Sequence, residues 1–118
     1  MTGKVPAGPN TILRTLPVLL LTSDATGSGA EIFTLAMRDL PNVRVLGEPT
    51  GGGLSDVHGV NLPNGWKFGL SNQEYRTMAD ELFEGTGVPV DISVLIDPSA
   101  LNAGKDNFLA EAIKLLGN

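Results

Sequence analysis

The chain contains no cysteine, which excludes a disulfide framework, thiolate catalysis and cysteine-ligated zinc and leaves the redox compartment open. Histidine occurs once, at His58, and the carboxylates are scattered, so the sequence offers no pattern for a metal site. Basic residues are few: eight Lys and Arg stand against thirteen Asp and Glu, a formal charge of -5. That balance does not supply a phosphate-neutralising surface, and nucleic acid is not an expected partner. No apolar run approaches the ~20 residues of a membrane-spanning helix, so no membrane span is expected. The first ten residues hold one Lys and no apolar stretch, and do not read as a secretory signal.

What is present is ordinary globular material. With 118 residues, 42% apolar and 18% charged, the chain has room for one domain and one hydrophobic core. Two Gly and two Pro among the first ten residues disfavour helix and strand. Residues 1–15 therefore read as an extended arm and residues 16–118 as the core domain.

Leu16-Pro17-Val18-Leu19-Leu20-Leu21-Thr22 is a short continuous apolar run, the pattern of a parallel strand buried on both faces at the centre of a sheet. After the small polar stretch from Ser23 to Gly29, the apolar residues Ala30, Ile32, Phe33, Leu35, Ala36 and Leu40 recur at helical spacing. Val43-Arg44-Val45-Leu46 makes a second strand, so strand, helix and strand form a right-handed βαβ unit. Residues 57–71 alternate around Leu62-Pro63-Asn64-Gly65, the signature of a hairpin tip. The acidic stretch 73–84 reads as loop or short helix, residues 90–95 as a last strand and residues 107–116 as an amphipathic helix. The class is α/β.

Ser28 lies between two glycines in the turn from the first strand into the first helix. Three readings compete there. A helix mouth offers free N–H groups and a positive dipole end to a developing oxyanion, which suits a nucleophilic serine with the Gly29 amide as an oxyanion donor. Serine is equally at home as an N-cap, and Glu31 three residues on completes a capping box. Gly27-Ser28-Gly29 could also open a dinucleotide fingerprint, but Ile32 stands where the third glycine belongs.

Gly51, Gly52 and Gly53 could approach a substrate backbone or cradle an anion, or simply connect two elements. Leu54 and Ser55 follow where a phosphate-binding loop would carry lysine, so nucleotide binding is disfavoured and no cofactor is expected. His58 is the simplest candidate base for Ser28, against its reading as an ordinary strand residue. Lys67 is a second candidate if buried. Glu84, ahead of Gly85-Thr86-Gly87, could orient a base or be one more acid in an acidic stretch.

Taken together, Thr26-Gly27-Ser28-Gly29-Ala30-Glu31, then Gly47-Glu48-Pro49-Thr50-Gly51-Gly52-Gly53, then Gly85-Thr86-Gly87-Val88-Pro89-Val90-Asp91 resemble the catalytic domain of the tail-specific (C-terminal processing) peptidases, family S41. The resemblance implies a layered β/α spiral related to the Clp protease and crotonase folds, and a serine endopeptidase acting on peptides or unfolded protein. It puts the nucleophile at Ser28. In the bacterial processing peptidases a lysine serves as base at the place of Gly53, and that lysine is absent here. The glycine run resembles instead the branch containing the tricorn core protease and the retinoid-binding protein repeats. There a histidine from an earlier segment activates the serine, and a glutamate matching Glu84 supports it, with Asp91 closing the stretch.

The family's histidine, second serine and glycine-rich oxyanion segment all precede the strand that begins here at Leu16. The resemblance therefore implies the C-terminal half of a larger peptidase, or a descendant reduced to it, nearly inert without a base from outside. A non-catalytic domain binding a peptide or apolar ligand on the same fold is the alternative. Self-assembly through bare strand edges is a third.

Overall fold

The computed structural model describes residues 15–117, so all but the last residue of the expected arm lies outside the described residues. The elements are β1 (Val18–Thr22), α1 (Gly29–Arg38), β2 (Val43–Gly47), β3 (Val57–Asn61), β4 (Lys67–Ser71), β5 (Ile92–Ser93), α2 (Pro98–Asn102) and α3 (Asn107–Leu116). The fold is mixed α/β with a parallel sheet ordered β1-β2-β5 and a separate antiparallel pair, β3-β4. The register Val18↔Val43 through Thr22↔Gly47 confirms the βαβ unit.

Two expectations about strands are corrected. β1 is parallel, but β2 holds the central position among the described residues. Burial follows that order: Val43, Val45 and Leu46 of β2 are buried, whereas Val18 to Leu21 of β1 are only half-buried. The last strand has two residues rather than six. Asp91 explains its late start, because its N–H donates to the Val45 carbonyl at 2.8 Å while its own Oδ2 accepts the Val45 N–H at 2.7 Å. A side chain thus takes the place of a strand carbonyl, and regular pairing begins only at Ile92.

The stretch 73–84 forms no helix. An isolated bridge between Arg76 and Leu82 closes it around a tight turn in which Asp80 has φ 66°. α2 was not expected; Asp97 nucleates it by accepting the N–H groups of Ser99 and Ala100 ahead of Pro98 at the first helical position. α3 matches its periodicity and packs on β1 and β2, with Phe108 and Ala112 buried. Gly47, at φ 125°, is required where β2 ends: a Cβ there would lie 2.1 Å from the Thr22 carbonyl oxygen and 3.0 Å from the Phe108 ring.

α1 departs most from its apolar pattern. Its buried residues are Glu31 and Thr34, while Phe33 is 54% exposed. The hairpin is more open still: from residue 56 to residue 74 only Val60 is less than exposed. Its register pairs His58 with Leu70 and Val60 with Phe68 on one face, and Val57, Gly59 and Asn61 with Ser71, Gly69 and Lys67 on the other. Among the described residues no helix is long and apolar enough to cross a membrane.

Candidate active site

β1 runs into a short turn in which the Ser23 N–H donates to Thr26 Oγ1 at 3.0 Å, and the chain enters α1 through Gly27 and Ser28. Ser28 has φ 54° and ψ -126°. Apart from Asp80 it is the sole non-glycine residue with positive φ among the described residues. Such a conformation costs an L-residue about 1–3 kcal/mol and persists only where the surroundings over-determine it. Strained strand-to-helix turns of this kind lift a serine hydroxyl clear of the backbone.

Ser28 is exposed; its side chain stands in capping-box position over the Glu31 N–H, but its hydroxyl makes no cap hydrogen bond. The helix start is held by other atoms. The Glu31 N–H donates to the Ser28 carbonyl oxygen at 2.9 Å, and the Glu31 carboxylate returns to accept the Ser28 N–H at 3.0 Å. The Gly29 N–H, at the first position of α1, has no acceptor among the described residues. A free hydroxyl and a free helix-mouth amide therefore sit on adjacent residues.

The glycine loop reaches this turn from β2. Its amides point into the protein: Gly51 N–H donates to the Thr26 carbonyl at 2.8 Å, Gly52 N–H to Glu31 Oε1 at 2.7 Å and Gly53 N–H to Glu31 Oε2 at 2.9 Å. The loop does cradle an anion, and the anion is the protein's own carboxylate. Gly52 is buried with φ 79°, and a Cβ on it would press against the backbone of residues 85–87 at 2.8–3.0 Å. Gly87 (φ 79°) crosses so closely that its Cβ would lie 1.9 Å from the Thr50 carbonyl oxygen.

Glu84 does not hydrogen-bond to Ser28 or to any base. Its Oε2 accepts the N–H groups of Leu54 at 3.0 Å and Ser55 at 2.9 Å, fixing the chain that leaves the glycine loop. Ser55 in turn accepts the Gln73 N–H at 3.0 Å on its hydroxyl, which anchors the root of the hairpin. His58 and Lys67 lie on that hairpin, both exposed, and neither hydrogen-bonds to Ser28 or Glu84. Asp91 serves the β2 edge described above. A cavity of about 190 Å³ opens beyond the C-terminal end of β1, lined by Leu21, Thr22, Thr26, Ile96, Leu101 and Phe108 among others, in the position where parallel sheets commonly take ligands.

Glu31 and Thr50 are the residues that sequence reasoning passed over. Glu31 is fully buried, and Thr50 Oγ1 donates to its Oε1 at 2.5 Å while accepting the Val88 N–H at 2.7 Å. A signal existed in the sequence: Glu31 stands in the same helical phase as Thr34 and Leu35, facing inward where a charge is out of place.

The described residues thus form a mixed α/β domain with a parallel sheet and an exposed, strained serine at the mouth of its first helix. The model of peptidase family S41 matches residues 3–94, and the chain belongs to that family. Among solved structures, a putative peptidase from Parabacteroides merdae is 34% identical with a TM-score of 0.75, covering 85% of this chain and 31% of that one. The tricorn protease is 23% identical with a TM-score of 0.71, over 86% of this chain and 11% of that one. The photosystem II D1 C-terminal processing protease is 25% identical with a TM-score of 0.60, over 88% and 25% respectively. The chain thus spans less than a third of each of these structures. No curated protein matches it.

Proposed function

We propose that this chain carries the nucleophile-bearing part of a serine endopeptidase of the tail-specific type, acting on unstructured polypeptides. The observation that carries the reading is the strained, exposed Ser28 at the mouth of α1, whose hydroxyl makes no cap hydrogen bond. In this mechanism Ser28 Oγ attacks the peptide carbonyl carbon and its proton passes to a base. The Gly29 N–H and the positive end of α1 stabilise the oxyanion. Collapse of the tetrahedral intermediate expels the amine, which takes the proton from the base, and water then hydrolyses the acyl-enzyme.

The base comes from outside the described residues, since none of their His, Lys or carboxylate side chains hydrogen-bonds to the Ser28 hydroxyl. Glu84 acts by holding residues 54–55 in place beside the glycine loop. Loss of one member of a serine-base unit removes about 10⁴- to 10⁶-fold of the rate, so the chain alone is expected to be nearly inert toward an unstructured peptide. Prompt Ser28-dependent turnover would contradict the external base and bring His58 back as a candidate. Peptide binding that survives Ser28→Ala, with no turnover after complementation by the histidine-bearing segment of a related peptidase, would favour the non-catalytic alternative.

A further inference from the structure

We propose that Glu31 is the positioning residue of this site: its buried carboxylate holds the Ser28 backbone in its strained conformation and sets the glycine loop against it. The consequence for catalysis rests on the peptidase reading above; the clamp itself does not. Two carboxylate oxygens offer about four acceptor sites, and four donors fill them. Oε2 takes the Ser28 N–H at 3.0 Å and the Gly53 N–H at 2.9 Å, and Oε1 takes the Thr50 hydroxyl at 2.5 Å and the Gly52 N–H at 2.7 Å.

The Gly53 residue is gripped from both sides, because its carbonyl oxygen also accepts the Ser28 N–H, at 3.0 Å. One amide thus points at two acceptors that are themselves tied together, which is the over-determination that a positive φ at Ser28 needs. The network continues outward: Val88 N–H reaches Thr50 Oγ1 and Gly85 N–H reaches the Gly52 carbonyl at 2.7 Å. A single carboxylate therefore joins the serine turn, the glycine loop and residues 85–88. Among the described residues no Lys, Arg or His pairs with it. Amides, a hydroxyl and the first turn of α1 carry its charge instead.

Glutamine in its place keeps the shape but can accept at only one terminal atom, and turns an NH₂ group toward two of the donors. Glu31 does not face the reacting atoms, so its loss acts through Ser28. The test is amide hydrogen exchange and ¹³C shifts on the full chain, wild type and Glu31→Gln. In the wild type the Ser28, Gly52 and Gly53 amides are expected to exchange as one unit, about 100-fold slower than the unbonded Gly29 amide. Independent exchange, or exchange as fast as Gly29, overturns the clamp without any variant.

In Glu31→Gln the three amides are expected to lose about tenfold or more of that protection together. The Ser28 Cα and Cβ shifts then leave their wild-type values while the β3–β4 amides stay unchanged, and fluorophosphonate labelling of Ser28 per folded molecule, read with imidazole supplied as base, falls at least as far. A folded variant with Ser28 shifts and exchange at wild-type values contradicts the proposal; a variant that fails to fold leaves the wild-type exchange to decide. Should the amides behave as expected while Ser28 is never labelled in either protein even with imidazole supplied as base, the peptidase reading fails and the clamp remains.

Discussion

The turn around Ser28 and the β3–β4 hairpin are opposite solutions to the same problem of satisfying a chain segment. The turn is tied together by one buried side chain: Glu31 alone accepts four hydrogen bonds, while the Ser28 hydroxyl makes no cap hydrogen bond and the Gly29 amide has no acceptor among the described residues. The hairpin satisfies its backbone within itself, yet His58, Val60, Phe68 and Leu70 share one face that the described residues leave largely uncovered, with Leu70 54% exposed. A strained residue held by so many hydrogen bonds invites a chemical explanation, whereas an uncovered apolar face needs none until its cover is known.

Glycine substitutions should break this contrast with the largest effect. Gly87 and Gly65 have nearly the same φ, 79° and 86°, but a Cβ at Gly87 meets the Thr50 carbonyl oxygen at 1.9 Å and a Cβ at Gly65 meets nothing within 4 Å. Gly87→Ala is expected to cost about 4 kcal/mol or more, by a clash that forces the loop apart. Gly65→Ala should cost only the left-handed penalty of about 1–2 kcal/mol. Urea denaturation of the two variants measures the difference, and equal losses would mean that the crossing at Gly87 is not as tight as described.

Next in size is Ser28→Gly, which removes both the hydroxyl and the strain. Its chemical stability midpoint should rise, by about 1 kcal/mol, while any labelling of the site disappears, the pattern expected when a strained residue is kept for function. A loss of stability would mean that the hydroxyl has a structural partner after all. Smaller again are Trp66→Ala and Phe68→Ala on the hairpin. Trp66 is 73% exposed, so each change should lie within about 0.5 kcal/mol of wild type by thermal denaturation.

The slightest effect belongs to α2. Hydrogen bonds from the Ser99 hydroxyl and the Ala100 and Ser99 amides hold the Asp97 carboxyl below its usual range. A depressed carboxyl stabilises the folded state above the unfolded pKa and loses that contribution as pH falls through the folded one. The α2 amide signals should accordingly broaden or shift only in acid, below the ordinary carboxylate titration, and Asp97→Asn should abolish that acid step.

Much of this was readable from residue order. The βαβ unit, the hairpin with its tip at residues 62–65 and α3 follow from short-range periodicity and turn chemistry, which act within a few residues. The place of Ser28 at the mouth of α1 was legible because strand, two glycines and helix meet at one point. Glu31 was not, since its role depends on contact with Thr50 and Gly52, 19 and 21 residues away, and helical spacing alone reads it as a cap. The place of β1 beside rather than between its described neighbours, and the shortness of β5, escaped for a similar reason. The first depends on which strands lie beside it, and the second on a single side chain, Asp91, substituting for backbone.

Supplying a base from solution probes the nucleophile most directly. The full chain is incubated with a fluorophosphonate in rising concentrations of imidazole, and the adducts are mapped by peptide mass spectrometry. Imidazole should raise modification of Ser28 about tenfold or more, leave Ser55, Ser71 and Ser93 unchanged, and have no effect in Ser28→Ala. Modification of Ser28 no faster than that of Ser71 at every imidazole concentration would contradict its assignment as the acylated residue.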